Sequence, residues 1–305
     1  VDRRGYGENK MKRCYAENCL RESSLTLVDE INRILSDYER RGYVLTVRQV
    51  YYQLVTANII KNNEKEYKHV SRLINEARMG GLIDWDMIED RTRDFSRRQR
   101  WVSPKEILSA AATSYHEDLW KGQTYRVFVV VEKDALSGVL EPACEELDIP
   151  LLAARGYAST SVLHGFAEDD LVPAIVCGQT PVVLYLGDHD PSGIDMTRDI
   201  CDRLATFTGQ DVLVHRIALN MDQIKEMNPP ENPAKTTDRR FMAYMRTYGT
   251  SSWELDALDP DYLDRLVRDC AEEYIDHVLW NERKAAIEMT RQGLWEIVNE
   301  RGGIR

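Results

Sequence analysis

The chain has 305 residues, 43% of them hydrophobic and 30% charged, with a formal net charge of -11, which allows a sizeable core and suggests two domains. No apolar run approaches the roughly 20 residues that cross a bilayer, and the opening VDRRGYGENKMKRCYAENC lacks the apolar centre of a secretory signal, so a soluble cytoplasmic protein without a membrane partner is expected. The six cysteines (Cys14, Cys19, Cys144, Cys177, Cys201, Cys270) form neither a CxxC nor a Cys/His cluster, which argues against a zinc site or a disulfide framework. The acidic balance is uneven. Residues 1–126 hold 23 Lys and Arg against 19 Asp and Glu, whereas the rest hold 17 against 32, so the first part is the candidate for binding a polyanion.

After a polar arm over residues 1–23, the stripe Leu25, Leu27, Val28, Ile31 and Ile34 predicts a helix from Ser24 to Glu39, closed by a turn at Arg41-Gly42. Thr46 is a plausible N-cap for a second helix, TVRQVYYQLVTANII, and a third runs from about Asn63 to Arg78, ahead of Gly80-Gly81. LIDWDMIEDRTRDF has the β character of a short hairpin. Three helices and a hairpin are the order of a winged-helix domain, placed here at 24–102. SPKEILSAAATSYHEDLW predicts a connecting helix within 103–122, capped by Ser103 with Pro104 at its first position. Over 123–220 the strand-like runs YRVFVVV, IPLLAARGY, PVVLYLG and DVLVHRIAL alternate with helical segments, which implies a parallel sheet covered on both faces. Residues 221–305 open on the loop-like MNPPENPAK and end in helices around DPDYLDRLVRDCAEEYIDHVLW and ERKAAIEMTRQGLWEIV.

In an open parallel sheet, ligands bind beyond the carboxyl ends of the strands. Glu132 ends VFVVVE there, and Asp188 and Asp190 end VVLYLGDHD, pointing the same way if the chain stays extended. Three converging carboxylates repel one another unless a cation neutralises them, and oxygen donors without Cys or paired His suit Mg²⁺ or Mn²⁺ better than zinc. Asp-Pro-Ser-Gly is also ordinary turn chemistry. Asp195, three residues after Ser192, reads as part of a helix cap, and Lys133 as a solvated lysine.

A strand ending in Glu (VVVEKDALSGVL), one ending in Gly (LLAARGY) and one ending in DxD (LYLGDHDPSG) resemble the Toprim domain of topoisomerases, primases and related nucleases. The form D-x-D-P-x-G is most similar to the A subunit of topoisomerase VI and the meiotic double-strand-break transesterase. The resemblance spans about residues 24–220, with WELDALDPDYLDRLV adding weaker similarity further on. It implies an α/β fold in which a winged-helix domain precedes a Rossmann-like Toprim sheet with C-terminal helices. It also implies Mg²⁺ on Glu132, Asp188 and Asp190, and a homodimer in which the tyrosine of one subunit meets the acids of the other.

Those enzymes carry a nucleophilic tyrosine in a pattern like R-x-x-Y-Y, matched here by Arg48-Gln49-Val50-Tyr51-Tyr52. At about 100° per residue, Val47, Val50, Tyr51, Leu54 and Val55 share one helix face, and Tyr52 lies on the other beside Arg48. Tyr51 is therefore expected in the core and Tyr52 to be available. A phenol with a pKa near 10 is about one part in a thousand ionised at pH 7, a deficit of roughly 4 kcal/mol that Arg48 or a metal must offset. For double-stranded DNA, Lys65, Lys68 and Arg72 share one face of the third helix, and Arg91, Arg93, Arg97, Arg98 and Arg100 crowd the expected wing and its exit.

Three functions follow as expectations. The first is Mg²⁺-dependent DNA cleavage through a 5′-phosphotyrosyl link to Tyr52, near the nucleoid if the source is bacterial or phage. The second is a Toprim nuclease using metal-activated water, and the third a winged-helix DNA-binding subunit without catalysis. The chain has no GxxxxGK loop, so coupling to ATP would need a separate ATPase subunit.

Overall fold

Between Glu22 and Met79 the apolar residues recur at helical spacing, and three helices form: α1 (Glu22–Arg40), α2 (Val47–Thr56) and α3 (Glu64–Met79). A computed structural model describes residues 12, 14–16, 20–89, 100–154 and 156–301. Thr46 caps α2 as expected. Its hydroxyl accepts from Gln49 N while Gln49 Oε1 accepts from Thr46 N at 2.7 Å, a reciprocal box that satisfies two donors at the helix start. Val28, Ile31 and Leu35 of α1 pack with Val50 and Leu54 of α2 and with Val70, Leu73 and Ile74 of α3 in one apolar core.

The hairpin expected from Leu82 onward does not form within the described residues. Asp84 Oδ1 accepts from Asp86 N and starts a 3-10 turn, Trp85–Met87, and Arg78 donates to the carbonyls of Trp85 and Ile88, holding the segment against α3. A single parallel bridge joins Leu45 to Ile88. The rest of the expected hairpin, with Arg91 and Arg93, lies outside the described residues.

α4 (Pro104–Ser114) begins at the Ser103 cap with Pro104 first, but ends sooner than expected. Beyond it, Leu119 N donates to Asp148 Oδ2, and the Trp120 indole donates to Leu147 O at 2.8 Å. Those bonds and the complete burial of Trp120 outweigh continued helix.

The alternating half forms the sheet. In chain order come β1 (Tyr125–Val131), α5 (Ser137–Glu146), β2 (Leu151–Ala153) and α6 (Thr160–Phe166), then a π-helical stretch (Ala167–Leu171), α7 (Val172–Val176), β3 (Thr180–Leu186), α8 (Pro191–Thr208) and β4 (Leu213–Ala218). The strands are all parallel, in the order β2-β1-β3-β4. Side chains alternate across the pleat. Val127, Val129, Val131, Val182, Leu184 and Leu186 join one core, and Phe128, Val130, Val183 and Tyr185 join another on the opposite face with residues of α6 and α8. Both faces are covered, which is why these strands read as unbroken apolar runs.

The C-terminal part comprises α9 (Met221–Met227), β5 (Glu231–Pro233), α10 (Phe241–Tyr248), β6 (Ser251–Trp253), a 3-10 turn (Leu255–Ala257), α11 (Pro260–Glu272) and α12 (His277–Arg301). Within the expected loop MNPPENPAK, β5 pairs antiparallel with β6. His189 and Trp253 exchange backbone hydrogen bonds at 2.9 and 3.0 Å, which ties β6 and the turn after it to the end of β3. No helix among the described residues is long and apolar enough to cross a membrane.

Candidate functional site

At the carboxyl edge of the sheet, β1 delivers Glu132 and β3 delivers Asp188. Glu132 Oε2 accepts from Asp188 N at 2.9 Å. The approach needs Gly187, because a Cβ there would collide with the Tyr185 hydroxyl and Glu132 Oε2. Asp190 has a separate task. It caps α8, with Oδ1 accepting from Gly193 N at 2.6 Å and from Ser192 Oγ at 2.9 Å. Gly193 is required too, since a Cβ would run into the Asp188 carbonyl. Arg216 fixes the loop by donating to the carbonyls of Gly187, Asp188 and Gly193.

Asp188 turns instead toward the 3-10 turn after β6. Its Oδ1 accepts from Leu255 N at 2.7 Å and lies 2.8 Å from Lys133 Nζ. Among the described residues, the three carboxylates whose oxygens lie within 4.8 Å of one another are Asp188, Glu254 and Asp256. Asp188 is thus common to the expected donor set and this one, while Glu132 is hydrogen-bonded beside it and Asp190 is occupied as a cap. Glu254 and Asp256 went unassigned in the sequence, although they lie in WELDALDP, the segment carrying the weaker resemblance.

Two cations enter the cluster. Lys133 is a correction: its side chain is only 16% exposed, and its ammonium lies 2.8 Å from Asp188, 2.9 Å from Asp256 and against Glu254. Arg48 reaches in from α2, with Nη2 2.7 Å from Glu254 Oε2 and Nε 2.7 Å from Asp256 Oδ2. Burial pushes the Asp188 carboxyl well above its usual range, and burial likewise raises Glu132. Burial also works on Glu254, but there Lys133 and Arg48 together prevail and hold it below the ordinary value. Burial opposes the Lys133 charge, and Asp256, Asp188 and Glu254 outweigh it, so the ammonium is held above its usual pKa.

Tyr52 is also a correction. It is 4% exposed, not open to solvent. The helix wheel set Tyr52 apart from Tyr51, but both are buried in the same apolar core, their ring centres 5.2 Å apart. Tyr51 packs in the three-helix core, its hydroxyl donating to Asn62 Oδ1 and accepting from Asn63 N, both at 2.9 Å. Tyr52 lies beneath Arg48, whose guanidinium carbon is 5.8 Å from its ring centre. Burial first, then Glu254 and Asp256, push the Tyr52 phenol up to about 12 against the opposing pull of Arg48 and Lys133.

Asp195 does not complete a cap. It accepts from Arg240 Nε at 2.8 Å and Arg198 Nε at 2.9 Å, and from the Tyr157 hydroxyl. On α3, Lys65, Lys68 and Arg72 are exposed as expected, and Lys68 and Arg72 pair along the helix with Glu64 and Glu76. Arg100 is exposed, whereas Arg97 and Arg98 fall outside the described residues. No protein-family model matches the chain, and no curated protein matches it either. Fold and site together define an α/β protein with an all-oxygen donor group at the carboxyl edge of a four-stranded parallel sheet, joined to a helical unit by Arg48.

Proposed function

We propose that the chain cleaves double-stranded DNA in the manner of the topoisomerase VI A subunit, with Tyr52 as nucleophile, the helices over 22–89 as a winged-helix unit and the sheet as a Toprim unit. The observation that carries this reading is the Arg48 bridge, which links the helix bearing Tyr52 to the acids at the sheet edge. Asp188, Glu254 and Asp256 offer hard oxygen donors at mutual distances that suit a divalent cation such as Mg²⁺ or Mn²⁺. These residues would hold such a cation, which would supply positive charge near the attacked phosphate.

The residues divide the remaining work. Tyr52 Oη forms the bond to phosphorus as the bond from phosphorus to the 3′-oxygen breaks; the phenol gives up its proton and the 3′-oxygen gains one. Arg48, once freed from Glu254 and Asp256, pairs with phosphate oxygens, for which its planar fork is suited. Lys133 offsets the acids before DNA arrives. The exposed Lys65, Lys68 and Arg72 face of α3 supports contact with the DNA backbone.

Hydrolysis by water at the same acids is the second reading, and the burial of Tyr52 favours it. A phenol pushed up to about 12 must surrender its proton at a cost of roughly 7 kcal/mol at pH 7. Glu254 and Asp256 contribute to that rise, so neutralising them eases it. Incubation with supercoiled DNA and Mg²⁺ or Mn²⁺, followed by electrophoresis with and without protease, separates the readings. Protein bound to 5′ ends supports transesterification, free 5′-phosphates support hydrolysis, and intact DNA refutes both.

A further inference from the structure

We propose that the free edge of β2 takes up an extended, basic peptide segment of a partner protein as an added strand of the sheet. This edge lies on the side of the sheet away from β4, and the proposal uses neither Tyr52 nor the acids of the candidate site.

β2 is the outermost strand on its side, and its register fixes which backbone groups are left over. Val129 N donates to Pro150 O at 3.0 Å, and Ala154 N donates to Val131 O at 2.8 Å. Alternate residues of a strand bond to the same side, so Leu151 and Ala153 turn their N–H and C=O groups away from β1. Among the described residues no backbone group bonds to them there. The run Pro150-Leu151-Leu152-Ala153 carries no charge of its own. An apolar edge with unpaired backbone groups is a template for another strand.

The sheet is hollow on both faces beside this edge. Leu151 packs with the core on one face and Leu152 with the core on the other. Beside Leu151 lies a hollow of ≈ 460 Å³ lined by Cys144 and Ile149, and beside Leu152 one of ≈ 210 Å³ lined by Val162 and Phe166. Side chains of an added strand alternate between the faces, so successive residues would enter the two hollows in turn.

Charge selects the occupant. The linings hold five carboxylates, Glu141, Glu145 and Asp148 in the first and Asp169 and Asp170 in the second, and no Lys or Arg. In the first hollow His116 lies 3.0 Å from Asp148. In the second, burial and then Asp169 raise the Asp170 carboxyl against a smaller opposing pull from Arg126. An incoming segment with Lys and Arg flanking apolar residues would complement both rims. A second copy set edge to edge would bring these carboxylates against their own equivalents, and a nucleic-acid backbone would meet like charge, so neither suits the edge.

The test uses the full chain and a fluorescein-labelled peptide, Lys-Arg-Val-Leu-Val-Arg-Lys, in fluorescence anisotropy, with hydrogen exchange measured on the complex. Saturable binding that weakens with added salt, and slowed exchange of the Leu151 and Ala153 amides, are expected. Methylating the three central peptide nitrogens keeps the charges, blocks either edge of the incoming strand and should weaken binding about tenfold. Ala153→Pro deletes one outward N–H while sparing the bonds to β1, and should weaken binding several-fold. Asp169→Asn combined with Asp170→Asn should weaken it and flatten its salt dependence. The peptide comparison leaves the protein unchanged and holds even if Ala153→Pro fails to fold. Equal binding of the methylated peptide, equal binding of Glu-Glu-Val-Leu-Val-Glu-Glu, or no binding at about 1 mM overturns the proposal. So does a dimer of the chain that shuts the peptide out and that Ala153→Pro dissolves, which would assign the edge to a second copy.

Discussion

Ion pairs occur in two settings in this molecule. On α3, Lys68 lies 2.7 Å from Glu64, but the side chains are 72% and 80% exposed. At the sheet edge, Lys133 and Arg48 contact Asp188, Glu254 and Asp256 at similar distances, with the Asp256 side chain fully buried. The first kind contributes at most about 1 kcal/mol, because water already solvates both partners and salt screens them. The second takes charges out of water, a cost that apolar residues of the same size would avoid. Distance is the same and consequence is not. Five ionisable groups meet there, from the half-exposed Arg48 to the wholly buried Asp256, at the carboxyl edge of a parallel sheet, where ligands bind in open α/β folds.

The contrast breaks most sharply at Lys133. Lys133→Met leaves Asp188 and Asp256 facing each other without the ammonium, and should cost roughly 3 kcal/mol in urea unfolding with chelator present. If the acids hold a divalent cation, added Mg²⁺ should restore part of that loss. A variant as stable as wild type would mean that the cluster relaxes by taking up protons or water.

His189 sharpens the comparison through pH. It is 1% exposed, its Nδ1 is 2.8 Å from the Tyr244 hydroxyl, and burial, followed by Arg216, pushes it down to about 4. The unfolded chain binds this proton near pH 6.5, so the contribution is complete above that pH and is lost as pH falls toward 4, by up to about 3 kcal/mol. Subtracting the stability–pH curve of His189→Gln from that of wild type isolates the effect from the carboxylates beside it. A flat difference between pH 7 and 4.5 would contradict the burial argument. At the small end, Lys68→Ala should change stability by less than about 0.5 kcal/mol. If α3 meets DNA, the same change should weaken binding to all sequences alike and reduce its salt dependence. A large loss of stability would erase the distinction between the two settings.

The parallel sheet was legible because Tyr125–Val131 and Thr180–Leu186 are apolar on both faces, and the ends of those strands announce Glu132 and Asp188. The D-x-D-P-x-G run was legible in part: Gly193 and Asp190 serve the turn, and Asp188 serves the acid cluster. Glu254 and Asp256 were hidden by distance along the chain, since β6 pairing with His189 and the Leu255 N bond to Asp188 bring them back to the sheet only in the fold. Lys133 looked solvated because one residue in a sequence cannot show what folds over it. For Tyr52, helical periodicity predicted a face apart from the core, and the fold instead buries it in the same apolar core as Tyr51, with Arg48 over its ring. Near Trp85, the β character suggested a hairpin, and over the described residues 82–89 a cap by Asp84 with two Arg78 hydrogen bonds forms a 3-10 turn.

The central claim concerns one hydroxyl, and its neighbour is the control. Tyr52→Phe and Tyr51→Phe should be compared for covalent protein–DNA complexes trapped in Mg²⁺, with the linked peptide identified after digestion. The account predicts that Tyr51→Phe keeps the adduct and loses about 1 kcal/mol of stability with its hydrogen bonds to Asn62 and Asn63. It predicts that Tyr52→Phe still binds DNA and forms no adduct. An adduct through Tyr51, or DNA cleavage by Tyr52→Phe at the wild-type rate, would contradict it.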